Sequence, residues 1–302
     1  MRKTRLRRDQ QVEHNLYECH GHLLMDGTEY TAARARHENG PVRTILESEL
    51  ADLQKAGVTF FRDGGDPLGV SLLGRDLAPE FGIEYVSPAF AIHKKGRYGS
   101  IVGRAFTDMD DYRQRLREVG ECRGDFVKFM ASGIITFRKH GELSCPPLEG
   151  EEIRQIITLA HEAGYSVMVH INGADTIRAA AEAGVDSVEH GYFADDAALE
   201  AMAANNVLWV PTLAAVAAFI DRPGIDHNGT AAETVRRQMR QLKRASEMGI
   251  YVASGSDSGA VGVPHGPGTI REYELLAEAG IFRDWIEESN HQLRSRFSPK
   301  KR

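Results

Sequence analysis

Short apolar runs recur along the chain, each followed by a longer stretch in which apolar positions return every three or four residues. The runs fall at 15–19, 58–62, 84–89, 126–130, 166–169, 187–189, 207–210 and 251–254. Near-continuous apolar character over so few residues predicts strands buried on both faces. The periodic stretches at 42–56, 108–120, 150–163, 174–183, 195–204 and 230–248 predict amphipathic helices, with Gly57, Gly120, Gly164, Gly184 and Gly249 as their stops. Strand and helix alternate about eight times, which predicts an α/β chain closed as a (β/α)8 TIM barrel. No Pro/Ser-rich linker divides it, so residues 1–302 read as one domain, with a last helix at 283–296 packed outside and flexible basic termini at 1–14 and 297–302. The longer loops, 23–41, 92–105, 132–147, 212–228 and 258–269, follow strands one, three, four, seven and eight, and therefore gather at the carboxyl face of the barrel.

Composition narrows the partners. A hydrophobic fraction of 42% with 26% charged residues fits a globular chain, and the formal net charge of −6 supplies no basic surface for nucleic acid or an anionic membrane. Basic residues also cluster at the ends (Lys3, Arg5, Arg7 and Arg8; Arg294, Arg296, Lys300, Lys301 and Arg302) and read as solvated termini ahead of an interaction tail or a nuclear-type address. Cys19, Cys122 and Cys145 are widely spaced and form no paired motif, so a reducing cytoplasm is the expected location. No apolar stretch follows the basic N-terminus as in a secretory signal, and the apolar run 207–220 is interrupted by Pro211 and too short to span a bilayer. A soluble protein acting on a small molecule is expected, and nothing excludes a homo-oligomer.

Candidate chemistry sits at the strand ends. In YECHGHLL, His20 and His22 are two residues apart, so both rings face one side of the pleat, a spacing that suits two imidazoles on one metal. His170 in VMVHING and His190 in SVEHGYF each close a short strand, where a side chain faces the barrel mouth. Asp257 in YVASGSDSGA follows the eighth strand in a Gly/Ser turn, where it reads as a metal ligand and proton acceptor or as a turn residue. Lys128 interrupts the apolar run DFVKFMASG, where a free ammonium is costly to bury. Either a nearby carboxylate compensates it, or carbon dioxide converts the amine to a carbamate that two cations share. Each histidine taken singly also reads as a hydrogen-bonded structural residue; the set of six, on strands one, four, five, six and eight, is poorly explained that way.

At this point the chain resembles the amidohydrolase superfamily. FVKFMASG, VMVHINGADTIRAAAEAGVDSVEHG and GSDSG are similar to the branch holding imidazolonepropionase-like proteins, metal-dependent prolidases and Xaa-Arg dipeptidases, and the resemblance covers roughly residues 18–280. It implies two divalent metal ions, zinc first, with manganese, iron or cobalt as alternatives. His20, His22 and Asp257 would hold the more buried ion, His170 and His190 the more exposed one, and carboxylated Lys128 would bridge them. It also implies hydrolysis of a C–N bond, with Asp257 carrying the proton to the leaving nitrogen. The branch usually carries a small β-sandwich; with 19 residues before His20, this chain reads as the barrel alone.

Two basic loops suggest the substrate. His93, Lys94, Lys95 and Arg97 in one, and Arg138, Lys139 and His140 in the other, form a rim that suits a substrate carboxylate, as in a dipeptide, an N-acyl amino acid or a cyclic amide. Tyr192, directly after EHG, offers a hydroxyl. The same metal site in related barrels also serves lactones, esters and phosphotriesters. A barrel that binds without catalysing, or one whose histidines are structural, is the reading from another class.

Overall fold

The computed structural model describes residues 15–226 and 228–298. Its elements run β1 (Leu16–Gly21), α1 (Tyr30–Ala35), α2 (Arg43–Lys55), β2 (Val58–Asp63), α3 (Val70–Leu77), a 3-10 turn (Ala78–Phe81), β3 (Glu84–Val86), β4 (Ala91–Lys94) and β5 (Gly103–Phe106). They continue through α4 (Met109–Glu121), β6 (Val127–Met130), α5 (Gly150–Glu162), β7 (Val167–Ile171), α6 (Ala174–Glu182), β8 (Ser187–His190), α7 (Asp196–Ala204) and β9 (Leu208–Val210). The last helices are α8 (Leu213–Ala217), α9 (Thr230–Glu247), α10 (Pro267–Glu278) and α11 (Arg283–Phe297).

All strand pairs are parallel: β1 bonds β2 and β2 bonds β3, while β4, β6, β7, β8 and β9 follow one another with β5 at the outer edge. Two irregular joints connect these runs into the (β/α)8 barrel. The eighth strand, expected at 251–254, is an isolated parallel bridge, yet its backbone bonds Trp209 on one side and Cys19 on the other. The third is broken: β3 pairs with β2, then the chain passes Pro88 and Ala89, the latter at φ 68°, and resumes as β4 against β6. The expected run 84–89 thus covers only the first half. His93 and Lys94, assigned to a rim loop, are strand residues of β4.

Burial and capping explain the helices. Asp108 caps α4 by accepting from the backbone amides of Asp110 and Asp111, and Asp195 caps α7 through Ala198 N. Gly57, Gly164, Gly184 and Gly249 follow their helices with positive φ, as glycine stops do. Gly120 does not, because α4 runs on to Glu121 and Arg123, at φ 57°, makes the left-handed turn instead.

The lower barrel is filled by Tyr17, Cys19, Phe60, Val86, Phe126, Met168, Leu208, Val210 and Ala253, closed by Leu293 and Phe297 of α11. Phe297, assigned to a flexible tail, is instead fully buried, which stabilises the fold by about 1.5–3 kcal/mol. Arg294 pairs with Glu84 and Arg296 donates to the carbonyl of Asn206, so these arginines anchor the last helix rather than fray. Of the expected flexible basic termini, 1–14 and 297–302, residues 1–14 and 299–302 lie outside the described residues. Among the described residues no helix is long and apolar enough to cross a membrane.

Candidate metal centre

The site grows from an irregularity in β1. Glu18 pairs with Phe61 and Gly21 with Asp63, so β1 carries one extra residue across that interval. Such a bulge breaks the alternation of faces. Cys19 joins the lower-barrel cluster, and His20 also turns inward, with its ring centroid 4.8 Å from that of His190 and 5.5 Å from that of His22. Gly21 allows the turn, since a Cβ there would strike the Phe61 ring. Two other candidate ligand positions rely instead on left-handed backbone: His190 at φ 65° and Asp257 at φ 62°. In a regular strand His190 would follow Glu189 onto the opposite face; the turn keeps its ring beside His170, 4.5 Å away between centroids.

The six expected ligand residues converge. Ligand atoms of His20, His190 and Asp257 all lie within 4.8 Å of one another. Asp257 Oδ1 is 3.6 Å from His22 Nε2 and 3.8 Å from His20 Nε2. Lys128, 1% exposed, places Nζ 3.4 Å from His20 Nε2. The nearest partner of this ammonium is therefore an imidazole rather than a carboxylate.

Electrostatics favour a set of neutral donors. Burial, reinforced by Lys128, holds the His22 and His170 rings far below the usual imidazole range, to about 3, and depresses His20 and His190 strongly as well. Burial also lowers the Lys128 ammonium, against the pull of Glu189 and Asp257, and raises the Asp257 carboxyl, against the pull of Lys128. Nδ1 of His22 is buried without a hydrogen-bond partner, and its ring fills the space that any Cβ on Gly64 would need. Four neutral imidazoles, a carboxylate and an amine, one ring nitrogen lacking any partner, fit a site for borderline divalent cations.

Groups around the ligands orient them, and sequence reasoning missed these. Glu189, fully buried, accepts from His20 Nδ1 at 2.7 Å and from the Arg62 guanidinium at 2.8 and 2.9 Å, leaving His20 Nε2 facing the centre. Thr212 Oγ1 meets His190 Nδ1 at 2.7 Å with the same effect. Like Lys128, Arg62 in VTFFRD and Glu189 in SVEH each place a charge inside an apolar run. Tyr98 also escaped notice: its ring packs 5.1 Å from that of His170, between β4 and β5.

The expected substrate residues divide. His93 is buried on the same face of the sheet as Lys128, two paired positions nearer the carboxyl end, with Nδ1 3.1 Å from the Lys94 carbonyl. Arg97 is exposed beside Tyr98. Tyr192 is buried and its hydroxyl is engaged, donating to the Thr212 carbonyl at 2.8 Å, while its ring stacks on His190. Arg138 is not brought to the centre: its side chain is 70% exposed and pairs with Glu142. Lys94 pairs with Glu152 at 2.5 Å. The basic rim is therefore narrower than the sequence suggests.

A (β/α)8 barrel with such a donor set at its carboxyl face defines a barrel with a candidate metal centre. The chain belongs to the Amidohydrolase family, which it matches over residues 20–300. It is 27% identical to the ochratoxinase of Aspergillus niger over 179 residues, covering 57% of this chain and 35% of that protein. It is 30% identical to an uncharacterized protein of Mycobacterium tuberculosis over 170 residues, 53% of this chain and 44% of that one. The matched segment thus spans less than half the length of these relatives. Among solved structures, a Xaa-Pro dipeptidase with bound methionine superposes with a TM-score of 0.73 at 22% identity, covering 93% of this chain and 75% of that one. The A. niger ochratoxinase superposes with a TM-score of 0.75 at 19% identity, covering 94% and 72%.

Proposed function

We propose that this chain hydrolyses an amide C–N bond in a small carboxylate-bearing substrate, a dipeptide, an N-acyl amino acid or a cyclic amide. The observation that carries the reading is the convergence of His20, His22, Lys128, His170, His190 and Asp257 on one buried centre, with His22 Nδ1 left without a partner. His20, His22 and Asp257 would hold one divalent ion and His170 and His190 a second, with Lys128, as a carbamate, between them; zinc suits the set first, then manganese, iron or cobalt. The amine reacts with carbon dioxide only when unprotonated, the form that burial favours at Lys128. When bound, two such ions lower the pKa of a shared water and polarise the scissile carbonyl.

The chain's own residues do the rest. Asp257 accepts the proton of the attacking water and returns it to the leaving nitrogen, a role its burial-raised carboxyl suits. His93 and the exposed Arg97, near Tyr98 at the mouth, are the groups to meet a substrate carboxylate, with the Tyr192 ring behind His190. A cytoplasmic setting suits the three free cysteines.

Metal analysis of the purified protein, followed by a panel of dipeptides, N-acyl amino acids, lactones, aryl esters and phosphotriesters, tests the proposal. Amide turnover with metal bound is expected, and Asp257→Asn should keep most of the metal yet lose about 10²–10⁴-fold in kcat. Fast lactone or ester turnover without amide turnover would replace the amide reading. Less than one metal per chain after growth with zinc or manganese would favour a barrel that binds without catalysing.

A further inference from the structure

The peptide that carries His190 is held from outside the barrel. His190, Gly191 and Thr212, whose hydroxyl meets the His190 ring, all have left-handed backbone, at φ 65°, 64° and 50°. For a residue other than glycine this conformation costs about 1–3 kcal/mol and persists only where the surroundings enforce it.

Gln238 of α9 supplies much of that enforcement. It is 4% exposed, and its Nε2 donates to the His190 carbonyl at 2.7 Å and to the Pro211 carbonyl at 2.9 Å. Trp209 Nε1 donates to the same His190 carbonyl at 2.9 Å. An amide NH2 has two hydrogens, and both are used here. One side chain therefore ties the peptide of His190 to the peptide that precedes Thr212, fixing the imidazole and its hydroxyl partner together. The Oε1 of Gln238 has no partner, so these two donated bonds set its placement. Gln238, Trp209 and Gly191 line a groove of about 530 Å³ between α7 and α9, with Arg240 and Arg244 along it.

We propose that Gln238 is a positioning residue for the metal centre, acting through the His190 backbone to aim the imidazole Nε2 at the site; this rests on the metal-binding reading above. Gln238→Met keeps the length of the side chain and removes both donors, and Gln238→Asn keeps the amide but withdraws it by one methylene. Ser289→Ala, which removes the acceptor of Val252 N, serves as a control for general destabilisation.

Zinc affinity measured by chelator competition is the readout, beside the melting temperature of the metal-free proteins. In Gln238→Met, affinity for one of two zinc ions should weaken about 10–100-fold, the usual effect of removing a group that orients a ligand. Gln238→Asn should weaken it in the same direction, and it keeps the test open should the methionine variant fail to fold. Ser289→Ala should keep both ions at unaltered affinity. Unchanged zinc binding in the Gln238 variants overturns the proposal, and so does an equal loss in Ser289→Ala. An unaltered chain that takes up no zinc instead fails the metal reading itself.

Discussion

Glu189→Gln tests the buried network beneath the site. Glu189 and Arg62 are both fully buried and joined at 2.8 and 2.9 Å, with Ser187 and His20 Nδ1 on the same carboxylate. Glutamine preserves the shape but removes the charge, and its NH2 faces a donor whichever way it turns. Arg62 then remains desolvated over the Phe297 ring without a counter-charge. Breaking a buried pair by altering one partner costs about 3–5 kcal/mol. For 302 residues the unfolding entropy near the midpoint is roughly 0.6 kcal/mol/K, so the melting temperature should fall by roughly 5–8 °C. Scanning calorimetry of the metal-free protein measures this without interference from bound ions. Arg62→Met combined with Glu189→Gln should recover part of the loss, because the uncompensated charge is gone. A single variant melting within 1 °C of the unaltered chain would refute the view that this pair supports the site.

Two further outcomes are expected. Lys128→Ala should lose metal, measured by elemental analysis, and recover part of it in a short carboxylic acid that stands in for the carbamate; full metal content without the acid would remove Lys128 from the ligands. Glu49, buried with Oε2 unpartnered, has its carboxyl raised by burial to about 9. Above the ordinary carboxylate range the unfolded chain loses this proton while the folded chain keeps it, so the stability it contributes is full below that range and drains away as pH rises towards 9. Glu49→Gln removes the effect, so its melting temperature relative to the unaltered chain should climb from pH 5 to pH 9, and a constant difference would sink the argument.

The convergence of the candidate ligand residues was legible in the sequence because a residue ending a buried strand has few places to point. His170 needed only that rule. His20, His190 and Asp257 were located by it too, although the backbone reaches their poses through a bulge and two left-handed turns that no apolar pattern reports. The third strand was read short for the same reason: Pro88 and Ala89 look like a strand end, whereas they redirect the chain from β2 to β6. The basic rim was overread because charge in a loop says nothing about its partner. Glu152, which neutralises Lys94, is 58 residues away. Glu189, Arg62 and Gln238 share that difficulty, since each acts through a contact between distant segments.

The seal of the lower barrel by Phe297 and Leu293 also bears on how the chain is made. Tyr17 and Cys19 wait for neighbours some 270–280 residues further along, as the contacts of Tyr17 with Arg294 and of Cys19 with Asn290 show. At translation rates of about 5–20 residues per second, that interval is roughly 15–60 s. Throughout it the Cys19 thiol and the underside of the first strand have no floor beneath them. A nascent chain of this kind is an expected client of chaperones that shield apolar surface during synthesis, and oxidation of Cys19 is most damaging before the last helix docks.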